Sequence, residues 1–258
     1  MQKFIFSVLI AGLLSASFMA QIKSRVTTPS STPKPETTTA SLIAEADRAF
    51  SYGEDVARDR QSLTVIERAL AAEANNYQVL WRAARSYYYV GDGASGKEKM
   101  RYYERGIEVG QRAVAGQPNG AEGHFWLGAN YGGFSEETGI IKALQTVKKI
   151  RAEMEAVVRL NPSYEDGCAY IALGEIDRQL PSLLGGNTKR AVTSLEQGLR
   201  VAPKNMELKL SLAEAYRDAG RRDEARKLLQ EVLQMPINPA RAKQNRETQE
   251  KARKLLSK

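Results

Sequence analysis

The sequence has one histidine and one cysteine in 258 residues, so it lacks most of the side chains that nucleophilic, general-base and zinc chemistry use. A single cysteine excludes an intramolecular disulfide. A zinc site of nitrogen and sulfur ligands cannot be assembled from His124 and Cys168 alone. We therefore predict that the protein is not an enzyme and that it has no catalytic residue, metal site or cofactor.

Other signs of catalysis are also missing. The segment that begins at Gly185 and continues Gly-Asn-Thr-Lys-Arg lacks the spacing of a phosphate-binding loop. Cys168 lies in an apolar helical stretch without a basic neighbour in sequence, which favours a small buried hydrophobe over a reactive thiol. The adjacent pair Glu136 and Glu137 is interpreted as a solvated helix face that balances nearby lysines.

The chain has no apolar run of the length that a transmembrane helix usually requires. Its first residues place Lys3 before roughly eleven mostly apolar residues and then small ones, which is the layout of an export signal. We predict a signal peptide over residues 1–20 and an exported, periplasmic protein, with an uncleaved N-terminal anchor as the alternative. No cysteine stands near the cleavage region, so a bacterial lipid-anchor motif is absent.

The composition changes twice after this segment. Residues 21–40 are rich in serine, threonine and proline and are predicted to form an extended linker. Residues 41–235 have helical composition and show no sustained strand alternation, so the expected fold is all α. Residues 236–258 are predicted to form a basic C-terminal helix or tail.

The net charge of +8 is concentrated at the C-terminal end. Residues 236–258 contain seven basic and two acidic side chains, which leaves residues 21–235 nearly balanced. Nucleic-acid binding is therefore not expected, because the aromatic residues of the body lack accompanying positive charge. The basic segment is predicted to be a solvated terminal helix, or alternatively to contact anionic lipid or an acidic partner.

A helix-pair pattern returns along the body of the chain. Pro118 precedes Gly128 by the same spacing as Pro203 precedes Ala213, and a tyrosine, Tyr131 or Tyr216, follows three residues later. Small residues that let helices approach, followed by a large residue that fills the adjacent gap, are typical of tetratricopeptide repeats. We predict an all-α, tetratricopeptide-like helix-pair solenoid of about five degenerate repeats.

One repeat departs from this pattern. The unit that begins at Pro162 has Glu175 or Asp177 at the tyrosine position. Its helices are interrupted by a loop with Leu183 and Leu184 before two glycines, and insertions in solenoids often lie on the binding face. These leucines are expected either to fold back onto the core or to face a partner.

Several segments together resemble a known family. These are the stretch from His124 to Gly133, the long amphipathic helix from Ile140 to Leu160, the Pro-Ser-Leu-Leu-Gly-Gly loop at 181–186, and the closing helix from Ala191 to Pro203. They resemble the T-component family of tripartite ATP-independent periplasmic (TRAP) transporters and, more distantly, the eukaryotic regulators of microtubule dynamics. The resemblance implies a periplasmic helical-repeat protein with a cavity for an apolar ligand and an association with a solute-binding protein.

Aromatic residues are concentrated between positions 81 and 134, beyond what the repeat core needs. A concave apolar pocket with a few polar groups would use this surplus. We predict that a ligand-binding surface includes the side chains of Tyr88, Trp126, Phe134 and Leu184. His124 is a candidate ligand contact, with a helix-capping histidine bonded to a backbone carbonyl as the alternative.

The predicted function is therefore an exported repeat-type binding protein that holds an apolar small molecule and docks to a protein partner, with a solute-binding protein as the candidate. Membrane contact is expected only through the signal segment or the basic tail. The alternative is a cell-envelope scaffold for protein assembly without a small-molecule pocket.

Overall fold

The computed structural model describes residues 38–138 and 140–257. The predicted signal segment and almost all of the predicted linker lie outside the described residues. The described part is helical, and its α-helices follow one another in this order: α1 Thr39–Ala49, α2 Val56–Ala72, α3 Tyr77–Asp92, α4 Gly96–Gly116, α5 Ala121–Glu136, α6 Ile140–Leu160, α7 Cys168–Gln179, α8 Thr188–Val201, α9 Met206–Asp218, α10 Arg222–Gln234 and α11 Ala242–Leu256.

The first ten helices form five successive pairs, from α1 with α2 to α9 with α10, and neighbouring pairs stack on one another. This arrangement confirms the predicted all-α solenoid. Helix α1 begins at Thr39, and Thr38 caps it by accepting a hydrogen bond from the Ser41 backbone N–H. Among the described residues, no helix combines the length and the apolarity needed to cross a bilayer.

Asparagines start several helices of the solenoid. The side chains of Asn76, Asn187 and Asn205 accept hydrogen bonds from backbone N–H groups in the first turns of α3, α8 and α9. Each cap satisfies donors that have no partner within the helix. These caps fix where each helix begins, and hence which side chains point into the solenoid.

A repeated hydrogen bond marks the large-residue position of three pairs. The hydroxyl of Tyr87 donates to Glu67 at 2.7 Å, and that of Tyr216 donates to Glu196 at 2.8 Å. The Tyr131 hydroxyl accepts from Gln111 Nε2 at 2.9 Å. In each pair the tyrosine on the first helix reaches the second helix of the preceding pair and thereby joins successive repeats.

The fourth pair is entered through an irregular turn. A 3₁₀ turn at Tyr164–Gly167 precedes α7, and three successive residues, Glu165, Asp166 and Gly167, have positive φ angles of 46°, 53° and 75°. Left-handed backbone is costly for residues with a Cβ. The turn moves the large-residue position of this pair to Asp177, three residues after Gly174, so that Asp177 rather than Glu175 contacts the neighbouring helices.

The C-terminal helix α11 packs on α10 and α9. Thr248, Gln249 and Ala252 are buried on its inner side, and Gln249 Nε2 donates to the Met235 carbonyl at 2.9 Å. The segment predicted as a basic helix or tail therefore includes a packed helix. Its buried face makes it a structural part of the fold rather than a fully solvated terminus.

Candidate functional site

A cavity of about 460 Å³ lies inside the solenoid. Most of its wall comes from the first helices of four successive pairs, α3, α5, α7 and α9, and from α11, with smaller contributions from α4 and α6. Cavities of this size accommodate small organic ligands. The fold thus forms a partly open cavity between the helices of successive repeats and the C-terminal helix.

One wall of the cavity is aromatic. The Trp126 ring lies 6.0 Å from Tyr88, 5.8 Å from Tyr89 and 4.9 Å from Phe125, measured between ring centroids. The Tyr103 ring continues this group at 6.2 Å from Tyr88. These five rings form a continuous apolar surface along α3, α4 and α5, which we call the aromatic wall.

The aromatic wall is held from behind by hydrogen bonds and close packing. Trp126 is only 2% exposed, and its Nε1 donates to the Tyr164 hydroxyl at 2.9 Å. A side chain at Gly133 would collide with the Tyr103 ring, since an added Cβ would lie 2.3 Å from it. The glycine is therefore required for Tyr103 to reach the cavity.

The facing wall is charged and internally paired. Arg178 contacts Glu175 at 2.7 Å, and it contacts Glu214 and Asp218 at 3.2 Å each. These carboxylates hold the pKa of the Arg178 guanidinium above its usual value despite the burial that opposes it. The arginine therefore stays charged and ties α7 to α9.

A second ion pair closes the side where α7 begins. Arg241, just before α11, contacts Glu165 at 2.8 Å, and its guanidinium lies 4.6 Å from the centre of the Tyr52 ring. The backbone N–H of Lys243 donates to both carboxylate oxygens of Glu54 at 3.0 and 3.1 Å. Since Tyr52 and Glu54 belong to the loop between α1 and α2, the C-terminal segment bridges the last and the first repeats.

Two carboxyl groups at the end of the aromatic wall have perturbed acidities. Burial raises the pKa of Glu136 to about 9, although Lys99 opposes this shift. Burial likewise raises the pKa of Asp92 to about 6, against the influence of Lys99 and Lys243. One oxygen of Glu136, Oε1, is buried and has no hydrogen-bond partner within residues 38–138 and 140–257. The burial of polar atoms at this end of the cavity is therefore not fully compensated by hydrogen bonds.

Two of the predicted ligand contacts, Tyr88 and Trp126, line the cavity together. The other three do not lie among its lining residues. Phe134 is half-buried on α5. Leu184 is 48% exposed on the loop after α7, beside Leu183 at 97% exposure, so these leucines do not fold back onto the core.

His124 bridges two elements away from the cavity. Its Nδ1 lies 2.5 Å from Glu153 Oε2 on α6, and its Nε2 lies 2.8 Å from the Pro118 carbonyl oxygen. The hydrogen bond with Glu153 raises the pKa of His124. The carbonyl contact corresponds to the capping alternative considered from the sequence.

Sequence reasoning missed the acidic and C-terminal parts of the site. Glu136 and Glu137 were interpreted as one solvated pair, yet Glu137 alone is exposed and contacts Lys99 at 3.1 Å, whereas Glu136 turns into the cavity. The position of Glu136 at the end of α5, one turn after Gly132, is the signal that could have indicated an inward face. No pattern in the basic segment indicated that α11 would line the cavity.

The site offers no arrangement typical of catalysis. In the part of the chain that the structure describes, no group of three or more histidine, cysteine, aspartate and glutamate side chains is placed to hold a metal. Burial raises the pKa of the Cys168 thiol, which disfavours the reactive thiolate.

Comparison with known proteins agrees with this fold. The family model "Regulator of microtubule dynamics protein 1-3" matches residues 42–177, and the model "TRAP transporter T-component" matches residues 117–258, each more than half of the chain. Regulator of microtubule dynamics protein 3 of Rattus norvegicus is 25% identical over 212 residues, which are 76% of this chain and 44% of the rat protein. The chain thus spans less than half the length of that relative.

Solved structures show the same fold at low sequence identity. A thermophilic TPR protein of Thermus thermophilus superposes with a TM-score of 0.62 at 21% identity, covering 83% of this chain and 98% of that one. MamA (41-end) from Desulfovibrio magneticus gives a TM-score of 0.52 at 16% identity, covering 76% and 94% of the two chains.

Proposed function

We propose that this protein, which belongs to the TRAP transporter T-component family and to the regulator of microtubule dynamics family, is an exported binding protein of the T-component type. It holds a small molecule with an apolar body in the cavity and docks to a solute-binding protein. The observation that carries this proposal is the cavity of about 460 Å³ with five aromatic rings on one wall. The mechanism is passive, since a preformed pocket loses little conformational entropy on binding.

Burial of apolar ligand surface against the aromatic wall supplies most of the expected affinity. The wall is preorganised, because Trp126 is fixed by Tyr164 and Tyr103 by the space at Gly133. Helix α11 lines one side of the cavity, which is partly open to solvent, so a ligand can enter without unfolding of the repeats. The function needs no catalytic residue, metal or cofactor.

Docking of a partner is supported by the loop after α7. Leu183 is 97% exposed at the tip of this loop, and the loop is held in place by hydrogen bonds rather than by apolar packing. Asn187 N–H donates to the Asp177 carbonyl at 2.7 Å, and Arg190 donates to the Gly185 carbonyl at 2.6 Å. A rigid loop that presents leucines to solvent is suited to insertion into an apolar pocket of another protein.

Occupancy of the cavity can be tested with N-phenyl-1-naphthylamine, a neutral apolar fluorophore. We expect it to bind the wild-type protein and to bind Ala129→Phe at least tenfold more weakly, because the new ring occupies the cavity beside Trp126. The matched control is Ala71→Phe, on an exposed position of α2, where binding should be unchanged. Equal binding to both variants, or no binding to the wild type, would exclude the cavity as a ligand site.

The docking part has its own test. The double variant Leu183→Ser, Leu184→Ser should lose binding to a purified TRAP solute-binding subunit of the same organism, with N-phenyl-1-naphthylamine binding retained. Native mass spectrometry of the exported protein tests signal cleavage and ligand occupancy. The mass of the chain shows whether it is cleaved near residue 20, and an additional mass shows a bound ligand. An empty protein that binds a partner and no apolar probe would favour the scaffold alternative.

A further inference from the structure

The cavity lining is rich in carboxyl groups, whereas the chain as a whole is basic. The whole sequence carries a net charge of +8, yet the cavity lining contains six carboxylate side chains and three cationic ones. The carboxylates belong to Asp92, Glu136, Glu165, Glu175, Glu207 and Glu214, and the cations to Arg178, Arg241 and Lys251. A cavity with this excess attracts positive charge.

The two arginines already have carboxylate partners. Arg178 contacts Glu175 and Glu214, and Arg241 contacts Glu165. These pairs leave Glu207, which has a hydrogen bond with Gln244 and interacts with Arg241 and Lys251, and they leave Asp92 and Glu136 at the end of the aromatic wall. The buried Glu136 Oε1 has no hydrogen-bond partner among the described residues, so this end can accept a donor from a ligand.

Few protein cations face these two carboxyl groups. Lys99 on α4 approaches them, but its Nζ is bound to Glu137 at 3.1 Å. Lys243 on α11 acts on Asp92, and Glu247 on the same helix opposes it. Two lysines, Lys99 on α4 and Lys243 on α11, therefore face three carboxyl groups, Asp92, Glu136 and Glu137, so the cluster is negative when it is ionised.

Aromatic faces lie beside these carboxyl groups. Tyr88 and Tyr103 are 6.2 Å apart between ring centroids, and both feel the charges of Asp92 and Glu136. Lys99 Nζ lies 5.9 Å from the centre of the Tyr103 ring, so one aromatic face here already interacts with a cation. Rings combined with carboxylates recognise ammonium groups through cation–π attraction and charge.

We propose that the cavity selects an organic cation, with an ammonium group held by Asp92, Glu136 and the Tyr88 ring and an apolar body lying along Phe125 and Trp126. This inference rests on the proposed function, because it names the class of the ligand that the cavity holds. It assigns different roles to the two halves of the ligand. The aromatic wall binds the body, and the acidic end selects the charge of the head.

The raised pKa of Glu136 gives the inference a pH signature. In the free protein Glu136 is mostly protonated below pH 9, and a bound cation stabilises its ionised form. Binding therefore releases a proton, and cation affinity increases as the pH rises from 6 towards 9. Lys99, Asp92 and Glu137 act on Glu136, and Lys99, Lys243 and Glu247 act on Asp92. The neighbouring hydroxyls of Tyr88 and Tyr103 stay protonated over this range, because burial raises their pKa values.

The test compares octyltrimethylammonium, octyl sulfate and 1-octanol, which share one alkyl chain and differ in head-group charge. Binding is followed by the fluorescence of Trp126 in a Trp81→Phe background, which removes the other tryptophan. We expect the cation to bind the full chain about tenfold more tightly than octanol and octyl sulfate more weakly than either. A tenfold preference corresponds to about 1.4 kcal/mol.

Glu136→Gln is the decisive variant, and Glu137→Gln is its matched control on the exposed neighbour. Glu136→Gln should remove the preference for the cation and leave octanol binding unchanged, whereas Glu137→Gln should retain the preference. Equal binding of all three probes to the wild type would overturn the charge inference and leave the proposed function intact. If no probe bound, both would fail.

Discussion

The α5–α6 repeat and the α7–α8 repeat fill the same position in chemically different ways. On α5, Tyr131 follows Gly128 by three residues, bonds to Gln111 on α4, and has Lys149 of α6 5.3 Å from its ring centre. On α7, Asp177 follows Gly174 by three residues and contacts Arg151 of α6 at 2.5 Å and Arg190 of α8.

The difference shows what this position requires. A tyrosine is long enough to reach the preceding helix, whereas an aspartate is short and must be reached by long arginines. The ionic version brings a second effect, because Arg190 also donates to the Gly185 carbonyl at 2.6 Å and so holds the loop that carries Leu183. The α7–α8 repeat therefore lacks the tyrosine contact between helices, and its arginine instead holds the loop after α7 in place.

The largest effect is expected from Asp177→Ala. Asp177 is 1% exposed, and its removal leaves Arg151 and Arg190 without their shared partner. Breaking a buried ion pair in this way costs about 3 kcal/mol in the free energy of unfolding. Urea denaturation should show this loss.

Asp218→Ala is the matched control, since Asp218 contacts Arg178 but is 45% exposed at its side chain. Its cost should stay below about 1 kcal/mol. Equal losses in the two variants would contradict the buried role of Asp177.

The stability difference between the wild type and Asp177→Ala should also depend on pH. Although burial alone would raise it, hydrogen bonds from Arg190 and Arg151 lower the pKa of Asp177 below its ordinary value of 3.8. Its contribution to stability is therefore present above that value and lost as the pH falls through the lower folded value. The difference in unfolding free energy between the wild type and Asp177→Ala should shrink below about pH 4.

A smaller effect on stability is expected from alanine substitutions at Gly174 and Gly128, which precede Asp177 and Tyr131 by three residues. A Cβ at Gly174 would lie 2.5 Å from Leu195 Cγ, the branch carbon of a fully buried side chain, so Gly174→Ala should cost about 2 kcal/mol. A Cβ at Gly128 would lie 2.4 Å from Met154 Cε, which is the free end of a flexible chain.

Because alanine also favours helix by about 1 kcal/mol over glycine, Gly128→Ala should change the unfolding free energy by less than about 1 kcal/mol. Differential scanning calorimetry of the two variants compares the repeats directly. A larger loss at Gly128 than at Gly174 would show that the two repeats do not differ in this way.

The smallest effect is expected from removal of single tyrosine hydroxyls. Tyr87→Phe should cost about 1 kcal/mol, because it deletes one hydrogen bond to a carboxylate. Tyr216→Phe should cost less, since Glu196 keeps a contact with Arg221 at 3.2 Å. Chemical denaturation of both variants measures the ranking, and the reverse order would mean that Arg221 does not compensate for the lost hydroxyl.

The features that could be predicted from the sequence are those set by residues close to one another in the chain. Helix pairs, small residues and the repeat positions of Tyr131 and Tyr216 follow from spacing within one repeat, and the surplus of aromatic residues led to Tyr88 and Trp126. The inward turn of Glu136 depends on where α5 ends, and the choice of Asp177 over Glu175 depends on the left-handed turn at 165–167. Neither feature has a local periodic signal.

The position of helix α11 beside the cavity also could not be predicted from local sequence patterns. Arg241 and Lys243 belong to a basic segment whose composition suits a solvated tail, yet their partners Glu165 and Glu54 lie far earlier in the chain. Such pairings are decided by the curvature of the whole solenoid, which a single repeat does not encode.

The bond between Lys243 and Glu54 also bears on how the molecule folds. In an open repeat array each contact is local, so folding can begin anywhere and either end can fray without the other. Here residues 189 positions apart meet, which raises the contact order of an otherwise local array. Opening of the C-terminal segment should therefore also remove a contact from the N-terminal pair, so that fraying at one end is coupled to the other.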